Sequence, residues 1–437
     1  MTCVRITAIA ALCALSLAGC AGGGEETPAT ASSSVLGVVW KEGGASFVAR
    51  LDARSLEPLP GPRARLWVHG GPWAFSPDGS LVAFGGSRAI RIIDVKRMRV
   101  VGDVPTDVEF VGVVAWPEPR RLLLVTGMNW EEGVDALVVD PLARRILSRR
   151  PLGGSLQDFT RTDDGLVLLL GPRSGIGPAR LAVFSVRGGI RTVRLERVPA
   201  GFRTEQLERG FSVDYFRTPG VAVSRPAKRA FVVTGENVVT EVDLRTLRVS
   251  YHELGSSVSL LGRLRDWLEP AAKAKGASDG SVRRALWLDN GFLAVSGWDD
   301  NAFFDSEGNQ QQMTTAAGLA LVDTRTWSTQ MVEPDATGAT LATSLLFAYG
   351  SRWSSQDGRF EGSGLTAFDL AGERRFHLFG DEPVGSVEVA GRYAYVVSDS
   401  SSSCGPGQVI HLSTGNAVRE LAPEVACNRP SLLVPEP

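Results

Sequence analysis

The chain has 437 residues, 43% of them hydrophobic and 22% charged, with 24 Pro and 49 Gly. That composition supports a folded core with many turns and excludes a disordered chain. A formal net charge of −2 offers no basic surface for nucleic acid, and four His and five Cys leave little material for His-based catalysis or a transition-metal centre.

The chain begins MTCVRITAIAALCALSLAGC, in which Arg5 is the one charge. The apolar run at 6–17 is shorter than the ~20 residues that span a bilayer and fits the core of an export signal. Leu17-Ala18-Gly19-Cys20 resembles the bacterial lipobox. The resemblance implies that 1–19 is a signal peptide cut before Cys20, and that the Cys20 thiol carries a lipid. Residues 20–34 (CAGGGEETPATASSS) then form the anchor and a small, polar tether, with too little apolar area to order itself. No second apolar stretch reaches spanning length, so Cys20 is the expected attachment of an exported protein facing the extracytoplasmic side. Cleavage discards Cys3 and Cys13. Cys404 and Cys427 remain, and an exported chain is expected to pair them in a disulfide.

Residues 35–437 repeat as one domain. Segments such as IRIIDVKRMRVV, ALVVDPLARRIL, VTEVDLRTLRV and LTAFDLAGERRFHL each join an apolar run to a turn residue and a short tail. The turn positions are Asp52, Asp94, Asp140, Ser185, Asp243, Asp323, Asp369 and Leu412, spaced by 42, 46, 45, 58, 80, 46 and 43. A spacing of about 45 residues is that of a four-stranded propeller blade. Most units are preceded by a second hairpin, as in WAFSPDGSLVAFGG and VAVSRPAKRAFVVTG. A unit therefore reads strand A, tight turn, strand B, loop, strand C, tight turn, strand D. The count is eight units, or seven if the region near Leu345 is not a separate one. The first unit lacks strand A, and RPSLLVP at 429–435 reads as that missing strand, closing a ring.

FSPDGSLVAF at 75–84 is similar to the repeat of WD-repeat, TolB-like and YVTN-type β-propellers. The resemblance covers the chain after the tether as a pattern, and FSPDG itself is matched fully once. It implies an all-β propeller and says little of function. A lipobox before such a ring is similar in combination to the outer-membrane-assembly lipoproteins.

Strands that run up and down place A–B and C–D turns at one end and B–C and D–A connections at the other. The former are short almost everywhere. The latter include 256–281, 298–318, 349–363 and 399–407, and their end is the expected working face. In 256–281 the spacing of Leu260, Leu261, Leu264, Trp267, Leu268 and Ala271 predicts one short helical insertion. Cys404 and Cys427 fall at the same end of the last unit. Their bridge would close a loop of about 24 residues, worth roughly 3 kcal/mol in the chain-entropy account.

Trp recurs where strand B ends. Trp40, Trp130 with Glu131 and Glu132, Trp298 with Asp299 and Asp300, and Trp353 with Asp357 form the candidate ligand face. A ring beside a carboxylate suits a sugar or a cation; equally, each Trp could cover the edge of its own blade. Asp299, Asp300, Asn301, Asp305, Glu307 and Asn309 could donate oxygens to Ca²⁺, but read better as a solvated acidic loop. The pairs Arg120-Arg121, Arg144-Arg145, Arg149-Arg150 and Arg283-Arg284 read as solvated, and the excess of 41 Arg over 5 Lys as base composition. No nucleophile elbow, phosphate loop or metal-ligand spacing occurs, so no catalytic residue, cofactor or metal is expected. The expectation is a non-enzymatic module that binds a protein, peptide or glycan of the cell envelope. The alternative is a lactonase-like hydrolase or a lyase, with Glu131, Asp299, Asp300 and Asp357 converging at a channel mouth.

Overall fold

The structure is a computed structural model that describes residues 34–437, except 41–45, 67–70, 127–132, 188, 207–211, 256–275, 305–309, 355–358, 400–405, 423–424, 427–430 and 435–437. Alternating apolar residues between Gly, Asp and Pro turns make strands along nearly all of it. β1 (Ser34–Trp40), β2 (Ser46–Asp52) and β3 (Ala64–Leu66) come first. β4 (Trp73–Phe75), β5 (Leu81–Gly85), β6 (Ala89–Asp94) and β7 (Arg99–Pro105) form the next antiparallel meander. β8 (Val111–Glu118), β9 (Arg121–Thr126), β10 (Asp135–Asp140) and β11 (Arg145–Pro151) repeat it, as do β12 (Ser155–Thr162), β13 (Gly165–Gly171), β14 (Gly175–Ser185) and β15 (Gly189–Gln206). After β16 (Ser212–Thr218) come β17 (Gly220–Ser224), β18 (Arg229–Val233), β19 (Val238–Asp243) and β20 (Val249–Glu253). β21 (Gly276–Leu288), β22 (Phe292–Phe304), β23 (Gln310–Ala316), β24 (Leu319–Asp323) and β25 (Thr329–Glu333) follow. Then come β26 (Gly338–Ala342), β27 (Leu345–Ser354), β28 (Arg359–Asp369) and β29 (Arg374–Leu378), and after them β30 (Val384–Ala390), β31 (Tyr393–Ser398), β32 (Gly407–His411) and β33 (Ala417–Leu421). Finally β34 (Ser431–Leu433) pairs antiparallel with β1, so both ends of the domain share one sheet.

This is an all-β propeller of four-stranded antiparallel blades. Among the described residues hydrogen bonding groups the strands into six sheets, which corrects the expected count of eight or seven. Five sheets have four strands and the sixth has fourteen. Within the large sheet the meander recurs as β12 to β15, as β21, β22, β24 and β25, and as β26 to β29, fused through β16 and β23. The repeat is kept while separation into individual sheets is not. The helical segment expected within 256–281 lies outside the described residues, which leave out 256–275, and the end of that insertion, 276–281, opens strand β21.

Apolar side chains from adjacent meanders interdigitate. Leu123 and Val125 of β9 pack with Leu166, Leu168 and Leu170 of β13. The last sheet packs on the first through Tyr395 and Val409 against Ala49 and Leu51, and Tyr395 Oη donates to Ala53 O at 2.9 Å. Burying one such Leu stabilises the fold by about 1.5–3 kcal/mol. The A strands contact one another across blades, as where Thr160 Oγ1 donates to Val221 O (2.9 Å) and Thr340 Oγ1 to Val387 O (3.3 Å). They therefore form the inner ring.

The recurrent Asp of the sequence repeat caps the C–D turn. Asp52, Asp140 and Asp243 each accept two backbone N–H groups from the turn that follows, with an Oδ1 at 2.8–3.1 Å. Four residues on, Leu56, Met98, Arg144, Leu247 and Trp327 lie at φ between 50 and 60°. In the last blade Gly415 holds this place at φ 70°, and its N–H meets His411 O at 2.9 Å. The turn is therefore set by His411, not Leu412.

The arginine excess has a structural use that composition hides. Arg91 donates to Arg65 O at 2.8 Å, Arg144 to Val101 O at 2.7 Å, Arg180 to Leu152 O at 2.8 Å, and Arg191 to Leu244 O and Arg245 O at 2.7 Å each. Each bond joins neighbouring meanders, and the planar, multi-donor guanidinium suits that role better than an ammonium. The leading member of each arginine pair is likewise engaged: Arg120 with Asp140, Arg144 with Val101, Arg149 with Asp135 and Asp107, and Arg283 with Asp299. The solvated reading is corrected for Arg283, whose side chain is 10% exposed, while Arg120, Arg144 and Arg149 keep their exposure.

Candidate binding face

The end that carries the B–C and D–A connections is built out in β-structure. β22 does not stop at Trp298 but runs on to Phe304, and β23 returns beside it. β27 and β28 form a similar long hairpin, joined to β23 where Met313 opposes Ser354. β15 overruns its blade and pairs with β16, which lies parallel to the start of β21. The connections 298–318 and 349–363, expected as loops, are thus largely hairpin. Gly297 permits the overrun: its φ is 151°, and a Cβ there would overlap Val282 O.

Cross-strand rows fix which residues share a face of this upper tier. One row is Phe202, Phe216, Gly280, Asp300 and Thr314. The Phe216 ring lies over Gly280, where a Cβ would overlap it. The adjacent row, on the opposite face, is Gly201, Arg217, Ser281, Asp299 and Thr315. Alternation therefore separates the predicted residues. Trp298 and Asp300 share one face and Asp299 takes the other, so one of the two carboxylates expected beside the Trp shares its face. The same alternation prevents Asp299 and Asp300 from acting as a paired acid and base.

Each carboxylate has its own partner. Asp299 pairs with Arg283 at 2.9 Å, and Arg283 also donates to Val282 O and Trp298 O at 2.9 Å each. Asp300 accepts the Thr314 hydroxyl at 3.0 Å. A cavity of about 370 Å³ opens on the Asp299 side, lined by Arg217, Thr218, Thr234, Glu236, Ser281 and Asp299. Hydroxyls and charges of both signs dominate it, so it suits a polar ligand or peptide rather than an apolar one. Beyond Arg217 on that face, the Arg203 guanidinium sits 4.7 Å above the Tyr215 ring. Arg217, Thr218, Glu236 and Ser281 were not singled out from sequence. No local pattern marks them, because Arg217 and Ser281 are brought together by the parallel pairing of β16 with β21.

Of the other predicted residues, Trp40 ends β1 and Trp353 lies in β27, with side chains outside the described residues. Trp130, Glu131, Glu132, Asp357, Asp305, Glu307, Asn309, Cys20, Cys404 and Cys427 also lie outside the described residues. His252 bonds Glu241 at 2.9 Å and stacks on Trp327, His377 bonds Thr366 at 2.8 Å, and His411 bonds Ser413 at 3.0 Å, each in a different blade. Among the described residues no cluster of three His, Cys, Asp or Glu could hold a metal ion. On the inner ring, burial pushes the Asp158 carboxyl above its ordinary range, against the opposing effect of the Val221 and Phe159 N–H bonds at 2.7 and 2.9 Å.

No protein-family profile and no curated protein matches the sequence. Solved structures similar to it include the dihydro-heme d1 dehydrogenase NirN in complex with DHE, at 14% identity and a TM-score of 0.49, covering 92% of this chain and 74% of that one. AztD from Citrobacter koseri in its apo form is similar at 11% identity and a TM-score of 0.47, covering 91% of this chain and 96% of that one. BamB from Moraxella catarrhalis is similar at 11% identity and a TM-score of 0.43, covering 83% and 88%.

Proposed function

We propose that this chain is a lipid-anchored, extracytoplasmic propeller that binds a protein, peptide or glycan of the cell envelope on its B–C/D–A face, without catalysing a reaction. One observation carries the reading: among the described residues β-structure is added at that end alone, across neighbouring blades, and it frames a polar cavity of about 370 Å³. A rigid scaffold that elaborates one end concentrates variable chemistry there. The lipobox resemblance of Leu17-Ala18-Gly19-Cys20 supports the anchor, with 20–34 as tether and 35–437 as the domain. In the same reading β34 closes the ring against β1, and Cys404 bridges to Cys427 around β32 and β33.

Pull-down from native envelope tests the binding role. Phe202→Glu and Arg217→Glu change the two faces of the tier and should each lower recovery of the partner at unchanged folding. Equal recovery with both variants contradicts the reading. Cys20→Ala should release the processed chain from the membrane; retention with unaltered processing removes the anchor.

A further inference from the structure

The net charge of −2 conceals an uneven distribution. In the meanders β4–β7, β8–β11, β12–β15 and β17–β20 the A–B turns with their flanks span 76–80, 117–121, 162–165 and 224–229, and the C–D turns span 94–99, 140–145, 185–191 and 243–248. All lie at the end opposite the elaborated face. Together they hold fourteen Lys and Arg against seven Asp and Glu, so this sector of the ring is basic in a chain that is not. Balancing negative charge lies at the other end, where the connections and their flanks carry Glu236, Glu253, Asp335, Asp381, Glu382 and Asp399.

The excess follows from the repeat. Two residues after the turn residue stand Lys96, Arg187 and Arg245, and five residues after it stand Arg99, Arg145 and Arg248, all six exposed. Among the described residues Lys96, Arg99, Arg145 and Arg248 form no side-chain hydrogen bond or ion pair. The acids of the sector, by contrast, are engaged. Asp94 and Asp140 are buried and accept backbone N–H groups of their own turns, Glu118 pairs with Arg187 at 2.9 Å, and Asp163 faces Lys228 at 3.8 Å. In β8–β11 the place two residues on is taken by Leu142, 54% exposed, so an apolar side chain stands among the cations. The chain enters the domain at the same end, because Ser34 opposes Asp52, the turn residue of the first meander. Whatever precedes residue 34 joins there. The turn of the last meander has Ser413 and Asn416 at the two cationic places and lies outside the sector.

We propose that this basic sector docks on an anionic membrane surface, with Lys96, Arg99, Arg145 and Arg248 against headgroup phosphates and Leu142 in the interfacial layer. Exposed cations around an apolar side chain match a sheet of phosphates over an apolar interior, and guanidinium pairs phosphate through two donors at once. Docking in this sense turns the elaborated end away from the membrane. The proposal goes beyond the binding role above and does not depend on the lipid anchor, since the cations and Ser34 belong to the domain itself. Such docking is released by salt and a lipid anchor is not, so the two readings fail separately.

Co-sedimentation with vesicles tests it, using the full chain with Cys20→Ala so that no lipid is attached. Vesicles of phosphatidylglycerol and phosphatidylcholine in equal parts should bind the chain at about 0.1 M salt and release it at about 0.5 M, and vesicles of phosphatidylcholine alone should bind it far more weakly. Each cation close to an anionic surface contributes about fivefold to partition, so Arg99→Gln, Arg145→Gln and Arg248→Gln combined should lower it about a hundredfold at an unchanged melting temperature. Leu142→Ser should lower it less, and Arg88→Gln, in a B–C loop, should leave it unchanged. Equal partition into both kinds of vesicle, no binding up to about 1 mM lipid, or unchanged partition of the triple variant overturns the proposal. Capture by soluble polyphosphate without binding to either vesicle also overturns it and assigns the sector to a soluble polyanion.

Discussion

The two ends of the propeller follow different rules. At the A–B and C–D end, each turn is fixed by the repeat itself. Asp52, Asp140 and Asp243 cap the turn that follows, a residue four positions on takes a left-handed conformation, and the arginines Arg144 and Arg191 tie the outer strand of one blade to a neighbour. At the B–C and D–A end no such device recurs among the described residues. There β15, β22 and β27 overrun their blades and meet in a tier that fuses three meanders into one sheet. The contrast teaches that the recurrent chemistry of the repeat secures one end and leaves the other free to grow.

The contrast can be broken or sharpened by mutation. The largest effect should come from the blade core that both ends share. Leu168→Ala, at a fully buried position, should cost about 3 kcal/mol in chemical denaturation, whereas Phe216→Ala in the half-buried tier should cost under ~1 kcal/mol of global stability. A cost as large for Phe216 would make the tier part of the core. Asp140→Ala removes bonds to Leu142 N, Ala143 N and Arg120, and should cost about 2 kcal/mol by the same measurement. Asp300→Ala in the tier loses the Thr314 hydroxyl bond and should cost about 1 kcal/mol or less. Gly415→Ala places a Cβ at positive φ and 2.8 Å from the Phe376 ring, and should lower stability by roughly 1–2 kcal/mol.

Acid sensitivity should be the subtlest difference. Backbone N–H bonds hold the Asp94, Asp140, Asp243 and Asp369 carboxyls below their ordinary range, and the Arg325 side chain does the same for Asp323. A carboxyl whose folded pKa is depressed stabilises the fold above its unfolded value of about 3.9, and that contribution is lost as pH falls through the folded value. Thermal stability should therefore drop below about pH 4. Asp243→Asn, which keeps an acceptor for Arg245 N and Thr246 N but removes the charge, should flatten part of that drop. An unchanged pH profile would mean that the turn charges do not contribute.

Sequence made the short-turn end legible because its rule is local. In FSPDG, Ser76 Oγ bonds Asp78 and accepts the Leu81 N–H, and Asp78 accepts the Ser80 N–H, so the whole A–B turn lies within six residues. The tier was misread as loops for an equally physical reason. QQQMTTA in β23 and WDDNAFF at the end of β22 carry too few apolar residues in alternation to signal a half-buried strand. Their strand state comes from backbone pairing that the side chains do not signal: the end of β22 pairs with β23 and with the start of β21, and β23 meets β27 where Met313 opposes Ser354. The Trp298, Asp299 and Asp300 grouping is divided by the same pairing, since a strand keeps Trp298 and Asp300 on one face and sends Asp299 to the other. Arg217 and Ser281 were missed because their juxtaposition exists only through the parallel pairing of β16 with β21.

Site-specific photo-crosslinking in the native envelope tests the central claim most directly. A photoreactive residue at Thr314 or Phe202, in the tier, should give a discrete adduct with an envelope component, and one at the exposed Thr414, in a C–D turn, should not. Adducts from Thr414 with none from the tier positions would contradict the assignment of the elaborated end as the binding face.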